Sequence, residues 1–444
     1  MNFIDQIVVP PSANHILLLR YIFIVSLLIF LPYLGMMMGA SFISVYFNRK
    51  ENSMLSRFAK DVIEKLAITK NAELGLGIIP LFSILFIYAQ LLYQANTITV
   101  SILSLSVILF IAAFISLYKY RGGFEIESVI KSLKNSGSKE NEEAAEFEER
   151  LVRNSSTSGK IGTTLLYIAA YLFVGSMALA SSPGRWADVN NILQVLFSAD
   201  TIFNFIFLLA LAGTLTGAAV LFYFFKWQGG LKDMNEEYSG FVKHFGINLA
   251  FISSVALPVL MFFSFLFLPE GALSNDVFLF IVLLIALALV LSNVLYMMYK
   301  NSEMSYTVPV FFFVLIIFAF NIFKEESVLG NALQKQSYTV IQKSDEFEKE
   351  VKSKLVTTSG ISGKDIYNTK CIACHRFDVK LVGPPYQETV PKYNGDVQKL
   401  ADFVFSPTQN NPGYPPMPNQ GLKKKEAVAV AKFLIDSVTA MQKK

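Results

Sequence analysis

Cysteine and histidine are scarce in this chain of 444 residues, which has two cysteines and three histidines. Two cysteines form at most one disulfide, so a small fold stapled by several disulfides is excluded. Both cysteines and one histidine lie within five residues near the C-terminal end of the chain. We therefore expect the chemistry of cysteine and histidine to be concentrated in that segment.

Charge is also scarce, because Asp, Glu, Lys and Arg make up 16% of the residues while 53% are hydrophobic, and the mean hydropathy is +0.46. A helix needs about 20 apolar residues to cross a bilayer core about 30 Å thick. Eight stretches meet this length: 17–46, 74–95, 98–118, 161–182, 201–225, 245–268, 277–299 and 305–323. The sequence predicts an all-α protein, a polytopic membrane bundle of about eight helices followed by a soluble C-terminal part.

Lysine and arginine are divided unevenly between the two sides of this predicted bundle. If the N-terminus lies outside, the inner connections hold 18 of these residues and the outer connections hold only Arg185. Cytoplasmic loops carry an excess of positive charge. We therefore expect a multi-pass protein of a bacterial inner membrane, and eight crossings place both termini on the periplasmic side.

The segment Cys371-Ile-Ala-Cys374-His375 has the Cys-x-x-Cys-His spacing of covalent haem attachment. Two thiols within one helical turn reach the two vinyl-derived carbons of a porphyrin, and the adjacent imidazole binds the iron. A redox dithiol does not need this histidine, and a zinc site needs further ligands that the C-terminal part lacks. We predict one covalent haem c held by Cys371 and Cys374, with His375 as an iron ligand.

Two methionines follow the motif and are candidates for the second iron ligand, Met417 and Met441. His/Met ligation is usual in cytochromes c. Met417 lies between Pro416 and Pro418, and proline restricts the backbone and can hold a weak thioether ligand in place. Met441 lies in the C-terminal tail. The sequence therefore predicts Met417 as the second ligand.

The part 361–444 resembles the small class I bacterial cytochromes c. The matching segments are 371–375, 382–386 and 416–419. The resemblance implies that the carbonyl of Pro384 accepts a hydrogen bond from Nδ1–H of the ligand histidine, and that Asn419 donates to the methionine sulfur. The family often has a tryptophan that contacts a haem propionate; it is absent here, and Tyr414 is the candidate for that contact.

The membrane part resembles the large subunit of cytochrome bd-type oxidases in its basic first inner loop and in the segment around Gly217. Leu208 occupies the place of that family's haem histidine in the fifth helix. The resemblance therefore implies that the equipment for haem binding and oxygen reduction has been lost. The remaining histidines, His15 and His244, lie near opposite membrane faces, so they cannot bind one haem together, although either can ligate a haem alone.

We expect three segments: a transmembrane domain at 1–323, a periplasmic linker at 324–360, and a monohaem cytochrome c domain at 361–444. The predicted function is relay of single electrons at the periplasmic face, as the electron-transfer subunit of an oxidoreductase complex in a respiratory chain. Two alternatives are a quinol-oxidising or terminal-oxidase subunit with noncovalent haems, and a redox-sensing or assembly protein. No catalytic residue is predicted.

The expected partners are membrane lipid, other subunits of a respiratory complex, and a redox protein. The part 361–444 holds twelve Lys or Arg and seven Asp or Glu, including the run 423–425 of three lysines. A basic face steers an acidic redox partner, although the same run also suits the solvated start of a helix. Nothing in the pattern indicates a nucleic-acid partner.

Overall fold

A computed structural model describes residues 10–48, 53–66, 70–135, 142–231, 234–358, 362–409 and 413–442. The chain divides into two compact units, Met1–Asp345 and Glu346–Lys444. Every regular element among the described residues is helical, and no strand occurs there. The predicted all-α class is therefore confirmed.

Eight helices of the described first unit are long and apolar enough to cross a membrane, as the sequence predicts. In chain order, the helices of this unit are Ala13–Phe47 (α1), Ser53–Leu66 (α2), Ile79–Leu91 (α3, after a helical turn at Lys70–Ala72 and a π-helical turn at Glu73–Ile78), Thr99–Asn135 (α4), Glu142–Ala180 (α5), Ile192–Leu196 (α6), Ala199–Phe225 (α7), Glu236–Leu266 (α8), Asn275–Asn301 (α9) and Thr307–Ala332 (α10). The next helix, Gln334–Thr358 (α11), begins in the first unit and ends in the second. The spans are α1, α3, α4, α5, α7, α8, α9 and α10, and α2 is a short helix between the first two.

Helix α7 lies at the centre of the bundle and contacts α1, α5, α8 and α10. It crosses α8 closely at Gly217, where an added Cβ would lie 2.5 Å from the amide nitrogen of Ala250 and 2.7 Å from the carbonyl oxygen of Gly246. Small residues allow two membrane helices to approach this closely. The glycine that suggested a likeness to an oxidase subunit therefore has a packing role in this bundle.

The predicted linker at 324–360 is largely helical in the structure. Its first residues belong to α10, and the described remainder, after one residue at Leu333, belongs to α11. The last residues of the predicted linker, Ser359 and Gly360, and the first of the predicted haem domain, Ile361, lie outside the described residues. The three-segment division stays a prediction.

Charged residues lie within α10 beyond the predicted end of the eighth span at 323. Lys324 is 6% exposed and its Nζ lies 2.7 Å from Oε1 of Glu325, while Glu326 pairs with Arg20 of α1. Paired charges lose less free energy on burial than isolated ones. The helix therefore continues through charges that a hydropathy pattern places outside the membrane.

The C-terminal unit contains the described helices Gly363–Ile366 (α12, continued by a π-helical turn at Tyr367–Cys371), Tyr386–Thr389 (α13, followed by a 3-10 turn at Val390–Tyr393), Val397–Phe405 (α14) and Lys424–Gln442 (α15). Helices α12 and α15 cross at Gly363, where a Cβ would lie 2.1 Å from the carbonyl oxygen of Ala429. The rings of Tyr367 and Phe433 pack 5.7 Å apart at this crossing. The crossing fixes the start of the segment that carries both cysteines.

Candidate functional site

The cysteine motif begins where the π-helical turn ends and forms one turn of backbone. The amides of Cys374 and His375 both donate to the carbonyl of Cys371, at 3.1 and 2.9 Å. The two thiols are free, with Cys371 buried and Cys374 partly buried. Burial raises the pKa of the Cys371 thiol; a hydrogen bond from the Tyr386 hydroxyl opposes this shift, and the neighbouring Cys374 adds to it. Both sulfurs therefore lie within one turn, as attachment to a porphyrin requires.

The imidazole of His375 is held from behind by the loop that follows the motif. Its Nδ1 lies 3.0 Å from the carbonyl oxygen of Pro384, and the ring of Tyr386 stacks on it with centroids 5.0 Å apart. A carbonyl oxygen accepts a hydrogen bond, so Nδ1 carries the proton here. This contact therefore selects the tautomer with Nε2 free to bind a metal. This is the geometry that the family resemblance implies for a ligand histidine; the ligand role itself stays a prediction.

Gly383 allows this loop to pass against the imidazole. Its amide donates to the carbonyl of Cys374 at 2.9 Å, and an added Cβ would lie 2.1 Å from Cε1 of His375. The structure therefore leaves room for a hydrogen atom at this position and for nothing larger. The loop geometry and the position of the imidazole depend on this glycine.

One cavity of about 360 Å³ is lined by every predicted site residue except Asn419. Its lining includes the two thiols, the imidazole and the thioether, and also aliphatic and aromatic side chains: Cys371, Cys374, His375, Met417, Leu400, Val404, Leu434, Phe403, Tyr393 and Tyr414. Cofactor sites are typically clefts of about 300–1,000 Å³ with mostly apolar walls and a few placed polar groups. Thiols, imidazole and thioether around one apolar cavity fit a haem.

The two candidate methionines differ in their surroundings. Met417 lines the cavity, whereas Met441 lies on α15, is 45% exposed, and does not line it. The sulfur of Met441 accepts a hydrogen bond from Nε2 of Gln387 at 3.7 Å. The surroundings favour Met417 as the ligand.

Asn419 is exposed and does not line the cavity, although Pro418 and Gln420 beside it do. Its Oδ1 accepts a hydrogen bond from the amide of Gly421 at 2.8 Å. This hydrogen bond uses the oxygen of the side-chain amide. Donation to a sulfur atom would come from Nδ2, the donor of that amide. Donation to the methionine sulfur stays a prediction.

The histidines of the membrane part are not brought together. Both His15 on α1 and His244 on α8 are exposed. Sequence reasoning did not find the contacts of Tyr386 with Cys371 and His375, because they depend on the path of the loop. It also did not find the pair of Arg20 with Glu326, for which the charges inside apolar segments were the available signal.

The C-terminal fold and its cavity define a small c-type cytochrome domain, and comparison with known proteins agrees. Residues 361–437 match the family described as Cytochrome c. Cytochrome c-551 of Azotobacter vinelandii is 35% identical over 78 residues, which cover 17% of this chain and 95% of that protein. Cytochrome c-551 of Pseudomonas denitrificans is 32% identical over 78 residues, which cover 17% of this chain and 95% of that protein. Cytochrome c-551 of Pseudomonas aeruginosa is 34% identical over 71 residues, which cover 15% of this chain and 68% of that protein.

The chain belongs to the cytochrome c family through its C-terminal domain. It is an electron-transfer protein with covalent haem c and His/Met ligation typical of the family, and the eight long apolar helices among the described residues suggest a membrane anchor. No solved structure matches the chain. The matches given above lie in the C-terminal domain and do not show the resemblance to cytochrome bd-type oxidases.

Proposed function

We propose that this protein relays single electrons at the periplasmic face of a bacterial inner membrane, as a subunit of a respiratory electron-transfer complex. The observation that carries the proposal is the cavity in which Cys371, Cys374, His375 and Met417 converge, in a chain whose described part has eight helices long and apolar enough to cross a membrane. The haem supplies a one-electron iron couple when bound.

Each residue of the site has a distinct role in this proposal. Cys371 and Cys374 would attach the porphyrin through thioether bonds, and His375 and Met417 would be the iron ligands. The carbonyl of Pro384 orients the imidazole through Nδ1, and Asn419 donates to the methionine sulfur. A thioether ligand raises the reduction potential relative to a second imidazole, which suits transfer to a partner late in an electron-transport chain.

The proposed periplasmic location rests on the distribution of charge and on the number of crossings. The inner connections of the predicted topology hold 18 Lys and Arg against one outside, and eight crossings return the haem domain to the side of the N-terminus. This protein therefore delivers or collects electrons on that side, and the bundle anchors the domain there.

The three lysines at 423–425 at the start of α15 support an acidic redox partner. All three are exposed, and the carboxylate of Glu426 accepts a hydrogen bond from the backbone amide of Lys423 at 2.7 Å. That bond fixes the backbone at the helix start, and Nζ of Lys424 lies 5.8 Å from the ring centroid of Phe405. Such a cluster accelerates association with an acidic surface at low ionic strength.

The bundle acts as a scaffold in this proposal rather than as an oxidase. His15 and His244 are exposed on different helices, and Leu208 is a buried apolar residue of α7. These surroundings favour the relay over a subunit with histidine-ligated noncovalent haems, because an enclosed haem of that kind needs a histidine that points into the bundle.

A pyridine haemochrome spectrum of the purified chain, with the ratio of haem to protein, tests the proposal. We expect one haem c for each chain, and no covalent haem in the Cys371→Ser, Cys374→Ser double variant. The matched control is His15→Ala, His244→Ala, which is expected to keep the wild-type spectrum. A noncovalent haem that disappears in this control variant would contradict the relay and favour the oxidase alternative.

A further inference from the structure

The first part of α1 and the last part of α10 form a charged wall, made by Arg20 and Glu326, beside a second cavity. Nε of Arg20 donates to Oε1 of Glu326, and the side chains are 44% and 13% exposed. Arg20 is seven residues after the start of α1 and Glu326 is six residues before the end of α10. At a rise of 1.5 Å for each residue, each group lies roughly 10 Å along its helix from that end.

The cavity beside this pair has a volume of about 310 Å³, within the size range of cofactor sites. Most of its lining is aliphatic or aromatic: Ile16, Phe23, Leu91, Leu329, Leu333 and Ile341. Arg20 and Glu326 provide charged groups, and Ser337 and Tyr338 of α11 add hydroxyls. The site therefore combines an apolar body with a polar end, as an amphiphile that partitions into lipid requires.

The guanidinium is positioned to bind more than Glu326. An arginine has five N–H donors, and the described contacts of Arg20 use Nε alone. Its Nη2 lies against Gly330, where an added Cβ would be 2.4 Å away. Ionisable groups within a membrane segment are costly and mark functional sites more often than structural ones.

The charges of the wall indicate which head group it binds. Because the guanidinium is paired with a carboxylate, the pair carries no net charge and does not select an anionic phosphate. It offers N–H donors to a carbonyl oxygen and a carboxylate acceptor to a hydroxyl. A neutral ring with carbonyl or hydroxyl oxygens and an apolar tail matches these groups and the walls.

We propose that the cavity between Arg20, Glu326 and Ser337 binds the head of a lipid-soluble quinone or quinol. The reason that such a ligand matters rests on the proposed electron-transfer function, but its binding does not depend on the haem. The proposal assigns the membrane part a ligand as well as an anchoring role.

The experiment is calorimetric titration of the purified full-length chain, in quinone-free lipid nanodiscs, with decylubiquinone. We expect saturable binding of one molecule to each chain. Ser337→Trp fills the cavity without removing either charge, and we expect it to weaken binding at least tenfold. Leu279→Trp is the matched control, because Leu279 is 56% exposed on α9 and does not line this cavity; its affinity is expected to equal that of the wild type.

A second variant tests the head-group contacts. Arg20→Gln, Glu326→Gln keeps the wall neutral and of similar shape, and we expect it also to weaken binding at least tenfold. The proposal is overturned if decylubiquinone does not bind the wild-type chain, or if Ser337→Trp binds it as well as the wild type does. Mass spectrometry provides a third way to overturn it. The proposal fails if a phospholipid co-purifies with the wild type and with Leu279→Trp but not with Ser337→Trp, and if decylubiquinone does not displace that phospholipid. Loss of haem c with quinone binding intact contradicts only the proposed function.

Discussion

Replacing Gly383 by alanine tests whether the loop holds the imidazole in place. The new Cβ would lie 2.1 Å from Cε1 of His375, and ordinary contact begins at 3.4 Å. The imidazole or the loop therefore has to move by about 1.3 Å, which breaks the 3.0 Å contact between Nδ1 and the Pro384 carbonyl. Overpacking of this kind costs about 1–3 kcal/mol.

Thermal unfolding and the absorption spectrum of the ferric protein measure this effect. In a domain of this size, each kcal/mol lowers the melting temperature by roughly 4–8 °C. We also expect the far-red band that reports the bond between iron and methionine sulfur to weaken, and the reduction potential to fall, because the loop would no longer hold the imidazole in its position.

Gly395→Ala is the matched control. Gly395 has a φ of +77° and no neighbouring atom within 4 Å of an added Cβ, so alanine there is strained by about 1–3 kcal/mol without contacting the imidazole. It should lower the melting temperature by a similar amount and leave the spectrum and the potential unchanged. If Gly383→Ala behaves as Gly395→Ala does, the reasoning about the imidazole is refuted.

Two further predictions concern the ligand and the topology. Met417→Ala is expected to abolish the far-red band and to lower the reduction potential, since a thioether ligand raises that potential. Met441→Ala should leave both the band and the potential unchanged. The opposite result would assign the ligand role to Met441. In intact spheroplasts, a membrane-impermeant maleimide should label Lys425→Cys, whereas it should label Glu237→Cys only after lysis. Both positions are exposed, and the predicted topology places them on opposite sides of the membrane. The reverse labelling pattern would invert the predicted orientation.

The sequence was sufficient to predict the eight spans and the covalent haem c, for two different physical reasons. A span is defined by the length of an apolar run, which is a local property of the chain. The spacing of Cys371, Cys374 and His375 is local as well, because one helical turn determines where the three side chains point. Predictions that depend on one local segment survive without knowledge of the fold.

The features that the sequence could not provide depend on contacts between distant segments. Helix α10 continues past the predicted end of the eighth span, and the partner of its Glu326 is Arg20 of the first span, which a hydropathy pattern does not show. The stacking of Tyr386 on His375 depends on a loop that returns to the motif. Neither the partner of a buried charge nor the path of a loop follows from spacing alone.

The pair between Arg20 and Glu326 also has a consequence for biosynthesis. The two residues are 306 positions apart, and a ribosome adds roughly 5–20 residues each second. The arginine of the first span is therefore made roughly 15–60 s before its carboxylate partner. During that interval the first span holds a cation without this partner, so completion of the bundle has to wait for the last span. An arrest in synthesis before α10 would leave an incomplete bundle in which Arg20 lacks the carboxylate of Glu326.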